Sequence, residues 1–276
     1  MTKTIVYQGE PGANSHIACE LFDQKLKSVA CGTFDQAFNE IINGSNDFGM
    51  IPIENSIAGR VADIHRLMPT SGLKIVGEFF LEIQHTLMGV KSSDLSSLRT
   101  VRSHEMALSQ CRNSIEKLNL ISHVAADTAG SAREVSELND KTIGAIASPL
   151  AAEIYNLKIL KKNMEDKGCN TTRFLILSRD EIRPDIKEKN SLTTLVFKVR
   201  NVPSALYKAL GGFATNGVNM LKLESYQVDG SFLATQFYVD IKGHCEENSV
   251  KSALDELSNY AEEIKILGVY PASREI

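Results

Sequence analysis

Over residues 1–178, short apolar runs of strand length alternate with stretches of helical period, and this alternation limits the fold more than any other feature. A helix between two strands returns the chain to the same end of a sheet, so the pattern implies largely parallel sheets with helices on their faces. Residues 4–7 read as a strand, and Ser15 then caps a helix whose Ile17, Leu21 and Phe22 share one face. Phe34, Phe38, Ile41 and Ile42 recur at i, i+4, i+7 and i+8, the stripe of a helix that covers a core. Residues 48–53 form a buried type of strand, with Pro52 placing its end near a sheet edge. Val61, Ile64, Leu67 and Met68 mark a helix stopped by Pro69. Residues 74–90 divide into two strands, with Gln84-His85-Thr86 inside the second. Residues 100–102, 124–126, 142–147 and 174–177 are further strands. Ser103 caps a helix faced by Leu108, Cys111, Ile115 and Leu118, and Ser148-Pro149 is a cap followed by proline at the first helical position.

Residues 179–190 break the pattern: eight of the twelve are charged and Pro184 interrupts them, the composition of a linker. Beyond it come a strand (194–199), a helix (204–215), two strands (220–227 and 232–241), a helix (248–260) and a strand (264–269). That order, βαββαβ, is the ferredoxin-like split, and Asp229-Gly230 supplies a hairpin turn between the central strands.

Composition removes several function classes. The 276 residues carry 34 acids against 30 bases, which argues against nucleic acid as the main partner while leaving room for a local basic patch. No run of eighteen apolar residues is present to span a membrane, and the N-terminus lacks the apolar core of a secretory signal. The five cysteines are scattered without a CxxC, which fits a reducing cytoplasm. The six histidines form no HxxH or HExxH pair, which speaks against a structural zinc site or a metalloprotease.

Four polar clusters follow or precede strand ends, where open α/β sheets hold ligands. Gln8-Gly9-Glu10-Pro11-Gly12-Ala13-Asn14-Ser15 reads either as a tight turn or as a cradle of backbone N–H groups for an anion, though it is no GxGxxG fingerprint. Glu54, Asn55 and Ser56 form an acid, amide and hydroxyl trio that either grips a polar ligand or makes an Asx turn. Ser103-His104-Glu105 opens a helix that continues to Gln110 and Cys111. Neighbours in sequence rarely point at one another and no GxSxG elbow is present, so this is no hydrolase triad. In Asn170-Thr171-Thr172-Arg173-Phe174, Arg173 offers a planar fork for a carboxylate and Thr172 a hydroxyl, against the plainer reading of a surface arginine beside a strand threonine.

In this order, Gln8-Gly9, Gly12-Ala13 and Ser15, then Pro52-Ile53-Glu54-Asn55-Ser56, Ser103-His104 and Asn170-Thr171-Thr172-Arg173-Phe174, the chain closely resembles the prephenate dehydratase family. The tail resembles the ACT regulatory domain appended to those enzymes. The resemblance covers nearly the whole chain. It implies a catalytic domain over residues 1–178, built as two α/β lobes similar to periplasmic binding proteins (about 1–75 with 160–178, and 76–159), a linker over 179–190, and an ACT domain over 191–276. The implied reaction is the conversion of prephenate to phenylpyruvate, water and carbon dioxide in the cytoplasm, on the way to L-phenylalanine, without metal or cofactor. Carried over, Thr172, Arg173 and Glu54 are catalytic, and Asn55, Ser56, Ser103 and Gln110 bind substrate. The family's Ser-His-Pro-Gln stands here as Ser103-His104-Glu105-Met106, and Asn14 replaces an aromatic residue.

In the tail, the resemblance implies an L-phenylalanine site from Ser204, Ala205, Leu206, Asn219, Glu224 and Ser225, at contacts within a homodimer or homotetramer. Ser204 replaces a glycine, and Tyr226-Gln227 replace Arg-Pro. Two other functions share parts of this pattern. Arogenate dehydratase differs in the substrate's amino group, and a non-catalytic amino-acid sensor would need the lobes and the tail but not Thr172, Arg173 and Glu54 together.

Overall fold

The computed structural model describes residues 2–188, 190–200, 202–227 and 235–275. In chain order its elements begin β1 (Thr4–Gln8), α1 (Asn14–Phe22), β2 (Lys27–Cys31), α2 (Phe34–Ile42), β3 (Phe48–Asn55), β4 (Gly59–Arg60), α3 (Ala62–Ser71), β5 (Lys74–Glu82) and β6 (Thr86–Gly89). They continue with β7 (Thr100–His104), α4 (Glu105–Gln110), α5 (Arg112–Lys117), β8 (Ile121–Ala125), α6 (Thr128–Leu138), β9 (Ile143–Ala147), α7 (Pro149–Ile154), β10 (Lys158–Lys161) and β11 (Thr171–Ser178). The last six are β12 (Ser191–Val199), α8 (Ala205–Thr215), β13 (Met220–Gln227), β14 (Thr235–Lys242), α9 (Asn248–Ser258) and β15 (Ala261–Pro271). The chain divides into two compact units, one of residues 1–37, 50–61 and 80–174, the other of 38–49, 62–79 and 175–276.

The first unit holds two sheets. One runs β11-β3-β1-β2, with β1 parallel to β2. The other runs β10-β6-β9-β7-β8. Its β7 is parallel to β8 and β9, whereas β6 is antiparallel to β9 and β10, so this sheet is mixed rather than largely parallel. Side-chain alternation along these strands supplies two cores. Leu87, Val101 and Ile146 meet Leu108, Cys111 and Ile115 on one face. Met88, Ala145 and Ala147 meet Ala132, Val135 and Ala151 on the other, where small residues let α6 and α7 lie close to the strands.

Local signals gave several elements correctly and misjudged others. Ser148 does cap α7, its Oγ accepting from Ala151 N–H, with Pro149 next. Ser15, expected as a cap, lies inside α1, whose first flanking residue is Ala13. Pro52 does not mark an edge, because β3 stands between β11 and β1. Pro69 sits in the last turn of α3 rather than ending it. Gln84 and His85 fall between β5 and β6, not within a strand. The expected cap at Ser103 belongs to His104, whose Nδ1 accepts from Met106 N–H, because β7 continues one residue further. The single helix expected through Leu108 and Leu118 is two, parted at Cys111. A residue far along the chain makes the second start there: the Asp166 carboxylate accepts from the N–H groups of Asn113 and Ser114, doing what a local cap would do.

In the second unit the strands run β13-β14-β12-β15, with both partners of β12 antiparallel, the order of a ferredoxin-like split βαβ. Phe197, Val239 and Ile241 of the sheet pack against Ala209 and Phe213 of α8 and Val250, Ala253 and Leu257 of α9. Gly212 lets the helices approach: a Cβ there would stand 2.8 Å from that of Glu256. The hairpin expected at Asp229-Gly230 lies outside the described residues. On α3, buried His65 meets the Tyr238 ring edge-on, with centroids 5.0 Å apart, and Tyr226 at 5.6 Å. Among the described residues, no helix is long and apolar enough to cross a membrane.

Candidate active site

The ends of β3 and β11 carry the two richest polar clusters, and the first unit folds them together. Asn55 is at the last position of β3. Its Oδ1 accepts from Ile57 N–H at 3.0 Å and Ala58 N–H at 2.8 Å, an Asx turn that fixes which side of the amide is oxygen. Its Nδ2 then faces β11 and donates to Thr172 Oγ1 at 2.9 Å and to Asn170 Oδ1 at 2.7 Å. Thr172 Oγ1 thus accepts from Asn55, which turns its own O–H away from that bond. Among the described residues no protein acceptor takes that proton.

Asn170 extends the cluster. Its Nδ2 donates to Gln110 Oε1 at 2.9 Å, and the same oxygen lies 2.7 Å from His85 Nε2. Sequence reasoning passed over both His85 and Asn170 as site residues. The signal for Asn170 was its place two residues before Thr172; His85 had none, because its meeting with Gln110 depends on the sheet. Ser56 closes the entry to β11, donating from Oγ to Cys169 C=O at 2.9 Å while accepting from Thr171 N–H at 2.9 Å.

Glu54 and Arg173 form a second pair. Successive side chains on a strand point to opposite faces, so Thr172 and Arg173 part, as do Asn55 and Glu54. Arg173 Nη1 donates to Glu54 Oε1 at 3.2 Å, with the arginine side chain 8% exposed and the glutamate 32%. The guanidinium also lies over the Phe80 ring at 6.0 Å. Ser103 joins neither group: it is wholly buried, and its Oγ donates to Ile146 C=O at 2.6 Å, bracing β7 against β9.

The glycine turn after β1 is a mechanical junction. Glu10 accepts from Arg133 at 2.8 and 3.1 Å, and Tyr155 donates to Pro11 C=O at 2.9 Å. Ser148 Oγ donates to Gly12 C=O, and Gly12 N–H donates to His16 Nδ1 at 3.1 Å. Hydrogen bonds from Arg133, more than its charge, hold the Glu10 carboxyl below the ordinary range, against a smaller upward push from burial. Burial first, and Glu10 next, push the Tyr155 phenol up to about 12. A depressed carboxyl pKa adds stability above the unfolded value and loses it as pH falls through the folded one. The Tm advantage of wild type over Glu10→Gln is therefore expected to be full at neutral pH and to shrink through the acid range. Melting curves of both proteins from neutral to acid pH check this, and a constant gap would remove the latch.

The family model for prephenate dehydratase matches residues 5–182. The chain belongs to the prephenate dehydratase family. It is a lyase of that family, whose reaction takes prephenate to phenylpyruvate with loss of water and carbon dioxide. A bifunctional N-acyl-homoserine lactone acylase/prephenate dehydratase from Komagataeibacter europaeus is 47% identical over 271 residues, 98% of this chain and 96% of that one. The prephenate dehydratase of Methanocaldococcus jannaschii is 34% identical, covering 98% of this chain and 99% of its own. A solved prephenate dehydratase from Arthrobacter aurescens, in complex with L-Phe, superposes with a TM-score of 0.90 at 27% identity, covering 97% of this chain and 90% of that one.

Proposed function

We propose that Thr172 is the hydrogen-bond donor to the leaving hydroxyl of prephenate, and that Asn55 aims it. The Asn55–Thr172 hydrogen bond carries this reading, since it engages Oγ1 as an acceptor and leaves the O–H proton to the substrate. As the C–O bond breaks, the ring carboxylate departs as carbon dioxide and its C–C electron pair becomes the new ring double bond. The departing hydroxide, hydrogen-bonded by Thr172, takes one proton supplied in the end by solvent and leaves as water. Aromatisation drives the step, so the site has only to orient the substrate and stabilise the leaving oxygen. Gln110, whose oxygen is engaged by His85 and Asn170, offers its amide N–H groups to a substrate carboxylate. Arg173 and Glu54 anchor the start of β11, with Arg173 lending positive charge for the dianionic substrate. Ser56 and Ser103 hold the surrounding loops and strands. No cofactor or metal enters this scheme. Prephenate, rather than arogenate, is the proposed substrate.

Residues 1–178 are the proposed catalytic domain, in two lobes, with 179–190 as linker and 191–276 as an ACT domain that senses L-phenylalanine in a cytoplasmic homodimer or homotetramer. Ser204, Ala205, Leu206, Glu224 and Ser225 are its proposed contacts, together with Asn219. Support for Asn219, the one of these six that lines it, comes from a cavity of about 420 Å³ in the second unit, where it stands with Lys187, Lys242 and Glu247, two bases and one acid for an amino acid's charged ends. The effector must bind the inhibited state more tightly than the active one.

One assay tests both levels. Phenylpyruvate is expected to form from prephenate faster than phenylalanine forms from arogenate at equal enzyme concentration, and added L-phenylalanine is expected to slow it. Asn219→Ala is expected to weaken that inhibition. Absence of turnover would leave the sensor reading; calorimetry without phenylalanine binding, and unchanged rates at saturating effector, would leave the tail as an assembly module. Substitution is a better test than deletion of the tail, because His65 of α3 is buried against Tyr226 and Tyr238 and truncation would strip that face.

A further inference from the structure

We infer that His85 is a positioning residue for the dehydration, acting on Thr172 through a chain of side-chain hydrogen bonds by way of Gln110, Asn170 and Asn55; the inference rests on the role proposed for Thr172. The polarity of the chain is fixed from its backbone end. Ile57 and Ala58 N–H groups can meet only an oxygen, so Asn55 presents nitrogen to Asn170 and Thr172. Asn170 must then present oxygen to Asn55 and nitrogen to Gln110. Gln110 answers with Oε1, and an imidazole nitrogen 2.7 Å from that oxygen must carry a hydrogen. Reversing any amide in the chain sets a donor against a donor.

His85 is built to hold that end still. It is 4% exposed, and Asn170 is 2% exposed. Its backbone N–H donates to the Glu165 carboxylate at 3.0 Å, and its C=O accepts from Met164 N–H at 2.9 Å. The next residue, Asp166, donates its N–H to Gln110 C=O at 2.8 Å, so one short segment fixes both the imidazole and the amide it meets. A histidine kept only for packing needs no such chain. Here five polar side chains from four stretches of sequence are joined end to end, and the last is the hydroxyl proposed to meet the leaving group. Loosening Gln110 frees Asn170, and Asn55 then loses one of the two acceptors that hold its nitrogen toward Thr172.

Two matched variants test this. Asparagine places its amide nitrogen near the Nδ1 position and loses the donor to Gln110; glutamine reaches the Nε2 position and keeps it. His85→Asn is expected to lower kcat about tenfold with KM within about twofold, the scale of one lost buried hydrogen bond felt in the transition state. His85→Gln is expected to recover kcat to within about threefold of wild type. In a Thr172→Ala background, His85→Asn is expected to cost less than about twofold, because the group it positions is gone. A tenfold loss that persists undiminished in that background, or a glutamine variant no better than asparagine, overturns the inference alone. Normal turnover of Thr172→Ala by itself overturns the reading beneath, and the inference with it.

Discussion

Thr172→Ala is expected to lower kcat about 10²-fold while KM changes several-fold less, the signature of a donor that acts mainly in the transition state. The size follows from where the hydroxyl stands. Asn55 supplies one hydrogen bond to Oγ1, and the Asx turn at Ile57 and Ala58 keeps Asn55 from turning away. A donor held this firmly needs no reorganisation as negative charge grows on the departing oxygen. Alanine also leaves one Asn55 N–H without its acceptor, so a thermal melt must show that the variant is folded before the rates are compared. Steady-state rates of phenylpyruvate formation decide the matter. Near-normal kcat in a folded variant would remove Thr172 from the chemistry.

The largest expected effect on stability belongs to Gly12→Ala. Gly12 has φ +90°, and a Cβ there would stand 2.7 Å from Ala151 Cα and 3.1 Å from Ala151 N. Both neighbours are backbone in α7, so neither can swing aside. The left-handed φ and the overlap together are expected to destabilise by about 3 kcal/mol, a large part of an ordinary domain's stability. Gly72→Ala is the control. Its φ of +76° carries the same backbone penalty, with nothing within 4 Å of the new methyl. It is expected to lose about 1 kcal/mol. Equal falls in melting temperature for the two variants would show that crowding at Ala151 contributes nothing.

The sequence disclosed what is local and periodic. The amphipathic stripe of Phe34, Phe38 and Ile41 became α2, and the tail's strand-helix order became a ferredoxin-like sheet. Elements whose reasons lie elsewhere in the chain stayed hidden. β2 is half exposed along Lys27–Cys31 and shows no apolar alternation; its pairing with β1 makes it a strand. α6 buries mostly small residues, Ala129, Gly130, Ser131 and Ala132, and so shows little apolar stripe, although Asp127, which caps it through Gly130 N–H, was a readable signal. The break at Cys111 depends on Asp166, more than fifty residues away. The site divides in the same manner. Asn55 and Thr172 stood out as motif residues, and the structure adds the hydrogen bond between them. Strand alternation, which sends Thr172 and Arg173 to opposite faces, could be applied only once β11 was seen to begin at Thr171.

The cysteines have a practical side. Cys19, Cys31, Cys111 and Cys245 are buried, and Cys169 is exposed. Burial pushes the thiols of Cys19, Cys111 and Cys245 up, away from the thiolate that reacts with electrophiles. Cys169 precedes Asn170, and its C=O takes the Ser56 hydroxyl. The chain thus carries a native attachment point for a maleimide fluorophore beside Asn170, where its emission is expected to follow ligand arrival in real time with no cysteine added or removed.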